Sequence, residues 1–193
     1  MPISVYGSGT IDTPVNQYLA TSRAGGTSYL LASGGNHYFA KSTSGMNPTT
    51  SWQDTGLSWS NVYLPTNFSK VLLWFHLSVR NNGVAVSHSA FRMRIVRASD
   101  SLTTYQGDGS WGFGIMQCVG NTSGQNHFCI NQHVNLLDYD TLGNQGNLSA
   151  GNTYTMYLQV YDAYGNGSTL RLAAEGGGNH TSYTPQHGSI WII

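Results

Sequence analysis

The chain has 193 residues, enough for one domain, and only 8% of them are charged, well below the roughly one quarter usual in soluble domains. Eight basic and eight acidic residues cancel to a formal net charge of zero, which argues against capture of DNA or RNA by phosphate neutralisation. Twelve Tyr and five Trp argue against disorder, and the longest apolar run, Val71-Leu72-Leu73-Trp74-Phe75, falls far short of the ~20 residues a membrane-spanning helix needs.

The opening MPISVYGSGTID has neither a basic n-region nor an apolar h-region, so no secretory signal is expected. Residues 1–51 are rich in Gly, Ser and Thr and read as an N-terminal arm with short strands. Their apolar islands are Ser28-Tyr29-Leu30-Leu31-Ala32 and His37-Tyr38-Phe39-Ala40, punctuated by Gly25-Gly26 and Gly34-Gly35-Asn36. From Trp52 the pattern strengthens, and 52–193 reads as the main domain. Over 68–80, Val71, Leu73, Phe75, Leu77 and Val79 alternate with Leu72, Trp74, His76, Ser78 and Arg80. The second set is not fully polar, so both faces of that strand are expected to be covered, one by core and one by a partner. Asn81-Asn82-Gly83 reads as a hairpin turn into 89–97, where Phe91, Met93 and Ile95 oppose Arg92, Arg94 and Val96.

Further strands are expected near 111–118, 128–137, 153–161, 168–174 and 188–193. In 153–161, Tyr154, Met156, Leu158 and Val160 form one face and Thr153, Thr155, Tyr157, Gln159 and Tyr161 the other. The cluster Asp162-Ala163-Tyr164-Gly165-Asn166-Gly167-Ser168 then reads as the turn of a hairpin returning through Leu170 and Leu172. No window shows helical periodicity, so the fold class is all-β, an antiparallel sandwich or barrel. Cys118 and Cys129 flank a loop-like stretch and would face each other if it joins a hairpin. Synthesis without a signal favours free thiols instead, so a disulfide stays open.

Catalytic patterns are missing. There is no Gly-x-Ser-x-Gly elbow, no papain-like or caspase-like cysteine context and no phosphate loop; Gly107–Gly114 is glycine-rich but reads as a tight loop entering a strand. His127, Cys129 and His133 share a strand parity, yet three ligands without a fourth do not make a metal site. Asp138-Tyr139-Asp140 offers too few oxygens for calcium. The chain is therefore not expected to be an enzyme or to hold a metal or cofactor. Asn-x-Ser/Thr triplets at Asn67, Asn121, Asn147, Asn166 and Asn179 are expected by chance in so Asn-, Ser- and Thr-rich a chain. The surplus of aromatics, including Trp52, Trp59, Trp74, Trp111 and Trp191, points to contact surfaces, for protein first and for sugar second.

Three segments carry a resemblance: DTGLSWSNVYLPTNFSKVLL at 54–73, LLDYDTLGNQGNLSAGNTYTMYLQVY at 136–161 and GSIWII at 188–193. In this order they resemble the jelly-roll module of tailed-phage virion proteins, which is similar to the heads of tumour necrosis factor and complement proteins. The resemblance covers 52–193 in outline. It implies an antiparallel jelly-roll sandwich with an extended N-terminal arm, assembled as a homotrimer. Leu72, Trp74 and His76, or Tyr157, Gln159 and Tyr161, would be the subunit contact. It further implies a capsid decoration (cement) protein on the outer surface of the virion, seated on the major capsid protein. The alternative is a tail-fibre or knob head that meets tail proteins and binds a host-surface receptor, a glycan among the candidates. A fibre would ordinarily bring a repetitive shaft, and residues 1–51 have no such period.

Overall fold

A computed structural model of the chain describes residues 29–31, 35–42, 45–81, 87–118, 126–139, 148–163, 170–172 and 186–193. Among them run eleven strands: β1 Tyr29–Leu31, β2 Gly35–Ser42, β3 Gln53–Tyr63, β4 Val71–Asn81, β5 Ser87–Arg97 and β6 Thr103–Gln106. There follow β7 Ile115–Cys118, β8 Asn126–Asn135, β9 Thr153–Asp162, β10 Leu170–Leu172 and β11 Gln186–Ile192. One short 3₁₀ turn, Leu136–Tyr139, follows β8. The protein is all-β, as its sequence periodicity implies.

The strands form two antiparallel sheets. The first runs β1-β2-β11-β4, with β8 on the other side of β4 and β10 continuing the β11 edge past Val79. The second runs β3-β9-β5, with β6 and β7 lying end to end along the far side of β5. Four pairings are nested in the chain: β2 with β11, β3 with β9, β4 with β8, and β5 with β6 and β7.

Strict alternation builds the core between the sheets. Val71, Leu73, Phe75, Leu77 and Val79 of β4 are all at most 1% exposed, and Phe91, Met93 and Ile95 of β5 are fully buried. From β9 come Tyr154, Met156, Leu158 and Val160, the inward set that alternation selects. The layers touch through Phe75 and Phe91, whose rings lie 5.4 Å apart, and through Trp59, whose indole N–H donates to the Gly188 carbonyl at 3.3 Å.

β3 does not keep one parity. Thr55, Leu57 and Trp59 point inward, then Val62 and Leu64 do, because a bulge intervenes where Asn61 takes a φ of 57°. The segment 107–114 is the expected tight loop, closed by paired backbone bonds between Asp108 and Gly112 at 2.8 Å.

Two expected hairpins, and the one left open between the cysteines, are not hairpins. β4 and β5 lie in opposite sheets, as do β7 and β8, and as do β9 and β10, which pairs with β4 rather than β9. Turn-rich segments signal that the chain reverses but not which layer it returns to. Crossing between layers brings two apolar faces against each other, where an in-plane hairpin leaves both facing the same way. The cysteines are separated for this reason: Cys118 pairs with Ser87 in the second sheet, Cys129 with Ser78 in the first, and Cys129 is a free, exposed thiol. β2 is built into the first sheet with His37, Tyr38 and Ala40 buried, so the sheet starts before the 51/52 boundary read from composition. Residues 1–28, most of the expected arm, lie outside the described residues.

Candidate functional site

The outward side of β4 carries Leu72, Trp74 and His76, all half-buried, and register shows what surrounds them. Leu72 sits between Trp191 of β11 and Asn135 of β8, Trp74 between Ser189 and His133, and His76 between His187 and Asn131. β2 extends these rows with His37 beside Trp191 and Phe39 beside Ser189.

The rings are in mutual contact. Trp191 stacks on His37 at 4.0 Å, His76 on His187 at 4.8 Å, and Trp74 tilts against His187 at 5.3 Å and His133 at 6.2 Å. His76 Nδ1–H donates to Asn131 Oδ1 at 2.8 Å, which fixes that ring's orientation. Burial pushes the His37 imidazole down to about 4. A groove of ≈ 730 Å³ runs over this face, lined by His37, Leu72, Trp74, His133, Asn135 and Trp191 among others. Among the described residues its lining holds no Asp, Glu, Lys or Arg side chain, so what it presents is aromatic and apolar surface with a polar rim of Asn, Ser and His.

Tyr157, Gln159 and Tyr161 occupy the outward side of β9, on the opposite surface of the molecule. Each expected triplet is thus brought onto one face, but both sheets stand between the two triplets. The second face is a polar network braced by rings. Asp54 receives both arms of the Arg94 guanidinium, and Gln159 Nε2–H donates to Asp54 Oδ1 at 2.9 Å. Arg92 Nε–H donates to Gln159 Oε1 at 2.9 Å. The Arg94 guanidinium lies 3.9 Å from the centre of the Tyr157 ring, and Trp52 packs on Tyr161 at 5.2 Å. Burial raises the Asp54 carboxyl, but the bonds from Arg94 and Gln159 outweigh it and hold the group below its ordinary value.

Trp191 and Trp52, two of the aromatics expected on contact surfaces, complete these faces together with His133, His187, Arg92 and Asp54, which were not singled out as contacts from sequence. Alternation places Trp191 and Arg92 on outward sides, but their neighbours follow only from strand order, which local pattern does not carry. His133 and Cys129 do share the outward side of β8, yet four residues of extended strand separate them by about 13 Å, beyond common ligation. No three His, Cys, Asp or Glu side chains converge among the described residues. Asp138 accepts a hydrogen bond from Asn135 Nδ2 at 2.8 Å, and Asp140 lies outside the described residues. No described helix is long and apolar enough to cross a membrane.

No protein-family model matches the sequence, and a search of curated proteins finds no match.

Proposed function

We propose that the chain is a structural virion protein of a tailed phage, a trimeric jelly-roll head that decorates and stabilises the capsid shell. The observation that carries this reading is the nesting of its strand pairs. A jelly roll is a long antiparallel ribbon wrapped on itself, so its first strand pairs with its last and each inner pair closes within. The pairs β2·β11, β3·β9, β4·β8 and β5·β6/β7 support that description, as does the exchange of sheets at each step from β2 to β5 and from β7 to β10.

The first sheet's outer face supports the assembly half of the reading. Large half-buried aromatics at Trp74 and Trp191, with Leu72 beside them and no charged side chain of Asp, Glu, Lys or Arg among the described lining residues, are the composition of an interface core. On this reading copies meet through that face, and the Tyr157–Gln159–Tyr161 side faces away from the threefold axis.

The test is cryo-electron microscopy of the parent particle with the chain's density located. Threefold knobs spread over the icosahedral shell would support decoration of the major capsid protein. Density at the tail alone would replace it with a fibre or receptor-binding head. Absence from the particle would end both readings.

A further inference from the structure

β5 carries three described arginines, and two of them have an anion. Arg94 forks onto Asp54, and Arg97 onto Asp100 with Nε–H to Oδ1 at 2.9 Å. Arg92 does not. Its Nε–H goes to the neutral amide oxygen of Gln159 at 2.9 Å, and Gln159 turns its own N–H to Asp54, whose charge is committed to Arg94. No acceptor among the described residues receives the terminal Nη groups of Arg92. The described outward face around Gln159 therefore holds two cations, Arg92 and Arg94, against one carboxylate, Asp54.

The same arginine is held in place. Its guanidinium carbon lies 4.3 Å from the centre of the Trp52 ring and 4.1 Å from that of Tyr105. Trp52 is in turn tied to the 107–114 loop by its indole N–H, which donates to the Gly109 carbonyl at 3.0 Å. That loop lies on the arginine's stem: a Cβ at Gly107, where φ is +115°, would stand 2.9 Å from Arg92 Cβ. Such a fork, fixed by rings and a loop with its end donors open, has already given up the side-chain freedom that binding would otherwise cost. Its geometry matches a carboxylate, which accepts two parallel N–H bonds.

The ring faces decide between sources of that carboxylate. A sugar acid would draw on aromatic faces to stack on, and Trp52, Tyr105 and Tyr157 each give one face to a guanidinium group instead. What is left is an edge of donors within a surface of Arg, Trp and Tyr, the residue types that concentrate binding energy between proteins. We propose that this outer face of β5 and β9 docks a protein partner that presents an Asp or Glu carboxylate, received by the Nη groups of Arg92 beside Trp52 and Tyr105. The site lies on the opposite sheet from the proposed contact between copies, and it does not depend on the virion reading.

The experiment follows the Arg92 Nε–H and Trp52 indole N–H resonances of the full chain by NMR. Three probes are added in turn: a blocked Gly-Ser-Glu-Ser-Gly peptide, its Gln counterpart, and glucuronic acid. The Glu peptide should shift both resonances saturably and bind about tenfold or more tighter than the Gln peptide, as expected for a charge-assisted pair. Arg92→Gln should abolish the response, Arg92→Lys should weaken it severalfold by keeping charge without the fork, and Arg97→Gln should leave it unchanged. Equal responses to Glu and Gln peptides, no response to either, or a Glu response that survives in a folded Arg92→Gln or is undiminished in Arg92→Lys, would overturn the proposal. A response to glucuronic acid without one to the Glu peptide would overturn it in favour of an acidic sugar.

Discussion

Gly188 has no room for a side chain between its own sheet and Trp59 of the other. A Cβ there would sit 2.8 Å from Trp59 Cζ2 and 2.8 Å from the Trp74 carbonyl oxygen, and the second of these belongs to backbone that cannot rotate away. Gly188→Ala should therefore destabilise the fold by about 1–3 kcal/mol, the usual cost of overpacking, seen as a lower thermal midpoint. An unchanged midpoint would mean that β4 and β11 slide more freely than their register implies. His37 makes a pH-dependent contribution of definite sign. Its folded value is depressed from 6.5 to about 4 by burial, so the unfolded chain takes up the proton first. Its share of stability is full above about 6.5, declines as pH falls towards about 4, and is constant below that. Urea midpoints measured across this range should show the decline, and His37→Gln should flatten it.

At the level of elements, β4 and β9 were legible because the inward set of each keeps a period of two from end to end, even though Ser78 and Gln159 on the outward sides are buried as well. β3 was not. Its inward set changes parity between Trp59 and Val62, and nothing local in Ser60-Asn61 announces a bulge beyond an Asn that tolerates positive φ. Asn61→Gly should accordingly be neutral within a few tenths of a kcal/mol, while Asn61→Val should cost about 1–3 kcal/mol through strain at φ 57°. Chemical denaturation of the two variants distinguishes this from a register that simply slips. The connections misled for a different reason. Asn81-Asn82-Gly83 and the 162–168 cluster carry the residue types of a reversal in sequence, but whether a strand returns beside its predecessor or across the core is fixed by distant pairings. His187 against His76 is one such pairing, and Ser89 against Asp162 another.

For the molecule as a whole, sequence located the outward-facing aromatics of β4 and β9 but not that they look in opposite directions, since strand order is a property of the complete wrap. On the proposed assembly, Trp74→Ala should lower the population of trimer in light scattering at micromolar concentration more than it lowers the monomer's melting temperature, because the ring is half-buried on an outer face rather than in the core. A variant that stays trimeric and only melts earlier would place the subunit contact elsewhere. Cys129 should alkylate stoichiometrically in the native protein, read by intact mass, in keeping with an exposed thiol. The nesting of strands also has a consequence in time. β11 sits between β2 and β4, and the Trp59–Gly188 contact joins positions 129 apart in the chain. The first sheet therefore cannot close on a ribosome until residues 186–192 have emerged. Until then β2 and β4 expose the edges that β11 will later fill. Folding through such distant partners is slow, on the order of milliseconds to seconds for β proteins of high contact order. The nascent chain thus has a window in which its neighbours are other unfinished copies of itself, and its yield in a cell should depend on how fast it is made.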